Sequence, residues 1–205
     1  MIAKPADYTW LVESVDGACL TYVHGLTPEE VIARRGGRPE SFTPTSFWDM
    51  GGTVESGEPL GVTTIGDWVL TIESGGSGIA EEVIMPLSAG TRVVSHYFLS
   101  IKDLDHFYWI EDGELRFCFI AQEGYSEEVP DELVETMERI DALYPPLPTP
   151  HRGPMFLLAE RLTGITLTPH LLEEPTYLGG AVPEPRSWTV PWPQRAGYGG
   201  NSPDR

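Results

Sequence analysis

Residues 66–120 constrain the fold of this chain more than any other stretch. Trp68, Leu70 and Ile72 alternate with Val69 and Thr71, a period-two pattern that predicts a strand ending in the turn Ser74-Gly-Gly-Ser-Gly78. A helix follows, with Glu81 and Glu82 in its first turn and Gly90 as its stop, and Thr91–Phe98 resumes as a strand. Asp112-Gly113 is the strongest turn signal in the chain, a two-residue hairpin loop between alternating strands.

The hairpin sets a register. Glu111 faces Glu114, Ile110 faces Leu115, Trp109 faces Arg116, Tyr108 faces Phe117 and Phe107 faces Cys118. His106, Tyr108, Ile110, Leu115, Phe117 and Phe119 then share the core face, and if the strand over 93–99 pairs through the loop Ser100–Leu104, His96 and Phe98 join them and Tyr97 joins the other face. Tyr97, Phe107, Trp109, Arg116 and Cys118 take the other face, where the Arg116 guanidinium over the Trp109 indole would be worth about 0.5–1 kcal/mol. If no helix covers that face, its aromatic residues form a partner-binding patch.

Elsewhere the signals are local. Ala18–His24 reads as a strand, and Thr27, Pro28 and Glu29-Glu30 are the N-cap, first-turn proline and acidic opening of a helix that runs to Arg35 and stops at Gly36-Gly37. Arg34, Arg35 and Arg38 read as a favourable contact with the helix dipole. Residues 38–60 are loop-rich, anchored by Phe47 and Trp48. Residues 129–143 place Val129, Leu133, Val134, Met137, Ile140 and Leu143 at helical spacing with acids between them. A proline connector, a helix over Met155–Leu162 closed by Gly164 and a turn from Thr168-Pro169 follow. From Pro175 the composition shifts to proline, glycine and isolated aromatics, which predicts a tail, residues 175–205, that is extended or disordered unless it docks.

Charge narrows the partners. The chain has 13 basic and 31 acidic residues, and the surplus acid lies before His151. Such a surface repels phosphate backbones and anionic headgroups, so no nucleic acid and no membrane partner is expected. The N-terminus has no apolar leader, no run approaches the roughly 18 apolar residues of a membrane helix, and Cys19 and Cys118 sit in apolar strands as reduced cysteines do. A cytoplasmic protein is expected.

Catalytic motifs are missing. The five histidines have no metal-ligand spacing, Ser77 lacks both the lysine of a phosphate loop and the glycine pattern of a nucleophile elbow, and the turn acids lack calcium spacing. No cofactor, metal or catalytic residue is assigned. The binding candidates are Trp68, His96, His106, Tyr108, Trp109 and Arg116.

Gly66-Asp-Trp-Val-Leu-Thr-Ile-Glu73, Leu87-Ser-Ala-Gly-Thr91, Glu111-Asp-Gly-Glu114 and Leu158-Ala-Glu-Arg-Leu-Thr-Gly164, in this order, resemble a large family of actinobacterial proteins catalogued as a domain of unknown function. The resemblance covers about residues 8–173. It implies a compact intracellular α+β domain and carries no activity with it.

The expected architecture is therefore one α+β domain over residues 1–174: a mostly antiparallel sheet of about five or six strands, helices packed on one side, and the extended tail. The expected function is non-catalytic, an interaction protein that engages a protein partner, and a basic one in particular, through an acidic or aromatic surface; an immunity or antitoxin-like role is its sharpest form. The competing expectation is an enzyme or small-ligand binder with a pocket around His96, His106, Tyr108 and Trp68, and self-association is a third.

Overall fold

A computed structural model describes residues 8–50, 56–120, 124–126, 128–143 and 153–191. Nine strands are described: β1 (Gly17–His24), β2 (Thr43–Thr45), β3 (Glu58–Ile65), β4 (Trp68–Glu73), β5 (Arg92–Leu99), β6 (Leu104–Glu111), β7 (Glu114–Ile120), β8 (Gly124–Tyr125) and β9 (Tyr177–Val182). Six α-helices accompany them: α1 (Thr9–Ser14), α2 (Pro28–Arg34), α3 (Glu81–Leu87), α4 (Val134–Leu143), α5 (Pro154–Thr163) and α6 (Pro169–Glu173). The strands form one antiparallel sheet in the order β2-β9-β3-β4-β1-β5-β6-β7-β8.

The sheet exceeds the five or six strands expected because β2, β3 and β9 lie in segments rich in proline and glycine, where local propensity gives no strand signal. The segment after Pro175 is no free tail over its described part. β9 lies inside the sheet, paired with β3 on one side and β2 on the other, so the fold extends beyond residue 174. Trp192 and the residues after it lie outside the described residues, as does the proline connector 144–150.

Helices cover both faces, not one. On the first face Leu20, Tyr22, Leu70, Val94, Phe98, Phe107, Trp109 and Phe117 pack with Leu11 of α1, Met137 and Ile140 of α4, Phe156 and Leu158 of α5, and Leu172 of α6. On the second, Val23, Val62, Val69, Val93, Tyr108 and Ile110 pack with Val31 and Ile32 of α2 and Ile84 and Leu87 of α3. Burial on both sides explains why β4 reads as a near-continuous apolar run: all six of its residues are buried.

The local signals hold where the chemistry is local. Thr27 Oγ1 accepts from Glu30 N at 3.3 Å while Thr27 N donates to Glu30 Oε2 at 2.8 Å, a complete capping box. Asp112 and Gly113 adopt φ of 50° and 77°, the two positive values a tight hairpin demands. Asp112 Oδ1 also accepts from Gly90 N at 2.9 Å and Gly113 N donates to Ser88 Oγ at 2.9 Å, pinning the hairpin tip to the end of α3.

The hairpin register holds for two pairs and then shifts. Beyond Ile110 opposite Leu115, a bulge leaves Arg116 without a counterpart, so Trp109 faces Phe117 and Tyr108 faces Cys118. The extra residue moves Phe117 and Phe119 onto the face of Trp109, and Cys118 onto that of Tyr108.

Candidate functional site

The six binding candidates are not brought together. Leu99 pairs with Leu104, so His96 faces Phe107 and Tyr97 faces His106, which puts His96 and His106 on opposite faces of the sheet. Trp68, His96 and Trp109 lie beneath the α1, α5 and α6 layer. His96 is fully buried between Tyr22 and Phe156, whose ring centroids lie 5.8 and 5.0 Å away. His106 and Tyr108 are on the other face, with Nδ1 and Oη 3.3 Å apart. A pocket made of His96, His106, Tyr108 and Trp68 is therefore not assembled.

The aromatic patch expected on the sheet is covered as well. Phe107 and Trp109 are buried, and Tyr97 is half-buried on the opposite face. The guanidinium over the Trp109 ring belongs to Arg92, 4.9 Å from the centroid, while Arg116 in the bulge is exposed. Arg92 also bonds Glu111 across the strand pair at 3.3 Å.

The arginines at the end of α2 prove to be structural. Arg34 Nη1 donates to the carbonyls of Leu87 and Ala89 at 3.0 and 2.7 Å and so caps α3 rather than its own helix. Arg35 turns inward. Its Nη2 lies 2.6 Å from Glu73 Oε2 and 2.7 Å from Ser77 Oγ, Ser77 Oγ in turn donates to Glu73 Oε2 at 2.7 Å, and Gly78 N donates to Glu73 Oε1. Both members of the ion pair have side chains only 2 % exposed. Thr21 and Ser95 continue the polar chain, with hydroxyls 2.7 Å apart and the Cys19 thiol 3.6 Å from Ser95 Oγ. Burial, then the nearby Glu73 carboxylate, pushes the Cys19 thiol up, so it is a protonated packing group. Cys118 lies on β7, three strands from β1 or about 14 Å at ordinary strand spacing, which precludes a disulfide with Cys19.

Sequence reasoning missed this centre. The available signal was Glu73, a charge that ends an otherwise near-apolar strand immediately before Ser74-Gly-Gly-Ser77, and Arg35, a charge at the C-terminal end of a helix whose apolar face is Val31 and Ile32.

A second pair of buried polar groups lies under α5. Asp105 faces Phe98, diagonal to His96 on the same sheet face, and neither its carboxyl oxygens nor the His96 nitrogens have a side-chain partner. Burial pushes the Asp105 carboxyl well up, against the opposing effect of the Gly153 backbone, and burial pushes His96 down to about 3. A raised acid contributes stability that is present below its unfolded pKa and lost as pH rises through its folded value. Asp105→Asn should thus raise the melting temperature near neutral pH by roughly 2–4 °C, with the gap to the parent closing toward acid pH. A gap that stays constant between pH 4 and 8 would refute a titrating Asp105. His96, lowered, works in the opposite sense: its contribution is present above its unfolded pKa and fades as pH falls through about 3.

Two open surfaces among the described residues bear on binding. A cleft of about 190 Å³ is lined mainly by Val15, Ala18, Phe47, Trp48, Met50 and Ile72; it falls short of the roughly 300 Å³ usual for ligand pockets. The other surface is the outer side of the 128–142 segment. Leu133, Met137 and Ile140 turn to the core, and Glu128, Asp131, Glu132, Glu135, Glu138 and Asp141 stay exposed. Val134 and Tyr125 lie exposed among them, at 40 % and 39 %, and Tyr125 Oη reaches Asp141 Oδ2 at 3.4 Å. The ridge carries six exposed carboxylates and two exposed apolar or aromatic side chains, with the half-buried Arg139 as the one cation within residues 128–141. No helix of the described residues is long and apolar enough to cross a membrane.

A family model described as "Family of unknown function (DUF6461)" matches residues 1–186 of the chain. No curated protein and no solved structure matches it.

Proposed function

We propose, for a chain that belongs to the DUF6461 family of unknown function, a non-catalytic role: binding a basic protein partner through the carboxylate ridge of α4. One observation carries the reading. Six carboxylates are exposed along the 128–141 segment, and Val134 and Tyr125 among them offer the apolar contact that a purely solvated helix face does not need. Glu135 and Glu138 are three residues apart on α4, so they line one side of the helix at an interval of about 5–6 Å, and Asp131 and Glu132 lie in the turn that precedes it. A surface with lysine or arginine side chains at similar spacing would complement it, and the remaining negative charge of the chain would steer the encounter. A cytoplasmic setting and a toxin-neutralising role are the most specific forms of this reading.

The test is capture from a lysate of the source cell at about 50 mM and 500 mM salt, in parallel with the variant Glu135→Lys/Glu138→Lys/Asp141→Lys. The expected result is a stoichiometric protein that is released by salt and at least about tenfold depleted on the reversed ridge. If every captured protein binds the reversed variant equally, the ridge is only a solvated helix face.

A further inference from the structure

Two prolines fix the hydrogen-bonding phase of β9. Pro44 of β2 lies opposite Leu178, and Pro59 of β3 lies opposite Ala181. Proline has no N–H, so in an antiparallel pair it occupies the position that exchanges no hydrogen bonds. Leu178 therefore directs its N–H and C=O toward β3, and Ala181, three residues on and of opposite parity, directs both of its groups away from β3 toward the line of β2. Yet β2 stops at Thr43 opposite Gly179. Pro39–Ser41 is a 3₁₀ turn that leaves the line before reaching Ala181. Among the described residues no strand pairs with Ala181 on that side.

Among the described residues the space beside it is open. A groove of about 670 Å³ runs along Gly180–Glu184, and Gly36, Gly37, Arg38, Ser41, Ser56 and Gly57 complete its lining. Its walls carry little side chain, a condition that suits close approach of another backbone. Arg38 and Glu184 are exposed on its rim and offer one charge of each sign. Phe42 packs so closely over Gly180 that a Cβ there would lie 2.6 Å from its ring, which holds the β2 line in place up to the mouth of the groove.

From this geometry we infer that the groove takes an extended peptide segment of a second protein, laid antiparallel to β9 in line with β2, with one residue exchanging two main-chain hydrogen bonds with Ala181. Main-chain bonds supply the affinity in such strand addition, and side chains at the rim supply selectivity. The site lies at the β2-β9 end of the sheet and α4 follows the opposite edge, so the inference does not rest on the acidic ridge.

The probe is a random decapeptide library displayed on mRNA and selected on the full chain. Enriched peptides should bind at least about tenfold more weakly to Ala181→Pro, which removes the N–H offered to the groove while leaving the β3 ladder, where Ala181 already faces a proline, untouched. In the free protein the Ala181 amide should exchange faster than those of Gly180 and Val182, and bound peptide should slow it by at least about tenfold. If Ala181→Pro loses its cooperative melt, Ser41→Tyr, which crowds the groove from an exposed position, takes its place. The inference is overturned if no peptide enriches above a bare-resin control, or if both groove variants bind as the parent does. Peptide binding should survive Glu135→Lys/Glu138→Lys/Asp141→Lys, so failure of the groove and failure of the ridge are read separately.

Discussion

Replacing Arg35 with methionine should destabilise the protein by about 3–5 kcal/mol, the loss expected when a buried charge is left without its partner. Glu73 would keep its bonds from Ser77 Oγ and Gly78 N, but two neutral donors do not offset a carboxylate whose side chain is 2 % exposed. The damage would spread through the 3₁₀ turn Ser77–Ile79, because Ser77 bonds both ions and Ile79 belongs to the core beneath α3. The double variant Arg35→Met/Glu73→Leu removes both charges and should recover most of the loss, since desolvating two ions offsets much of what their attraction contributes. Urea unfolding of the single and double variants measures both effects. A single variant within about 1 kcal/mol of the parent would show that the pair is solvated in solution; a double variant no better than the single would show that Ser77 and Gly78 require the carboxylate.

That centre also marks where the sequence stops being legible. The Asp112-Gly113 turn and the Thr27 capping box were readable because each is decided within four residues by backbone geometry and one or two side chains. The bulge at Arg116 was not, because a strict alternation would have put Phe117 on the face away from α4 and α5, and placing it beneath them took one extra residue in the strand. The same limit dispersed the expected site: His96 and His106 look like neighbours only if the β5–β6 connection has the opposite parity, and nothing between Ser100 and Asp103 announces it. Arg35 and Glu73 lie 38 positions apart, so their pairing depends on how α2 settles against the sheet. The acidic face of α4 was legible, because a helical apolar stripe with carboxylates between its members leaves them one place to go, although the helix begins at Val134 and residues 129–133, read as its first turns, form the turn before it.

The least legible element carries the largest expected effect. Ending the chain at Glu174 should abolish cooperative unfolding, although the segment it removes reads as a tail. Tyr-Leu-Gly-Gly-Ala-Val has two glycines and little strand propensity, yet β9 pairs with β3 over five residues and with β2 over three. Its side chains belong to both cores: Tyr177 is buried on the first face with its Oη bonded to the Leu172 carbonyl at 2.8 Å, and Val182 is buried on the second. Without β9, β2 has no partner, Leu60 and Val62 lose their cover at a newly exposed edge, and Thr189 no longer accepts from Glu81 N at the start of α3. Tyr177→Ala alone should cost about 3–5 kcal/mol, the range for an aromatic truncated in a core. Ending the chain at Pro191 instead retains every described element and should keep a single cooperative transition. Near-ultraviolet circular dichroism through a thermal melt distinguishes the three proteins. A cooperative transition in the shortest one, within a few degrees of the parent, would show that the sheet closes at β3 and that β9 docks on a finished domain.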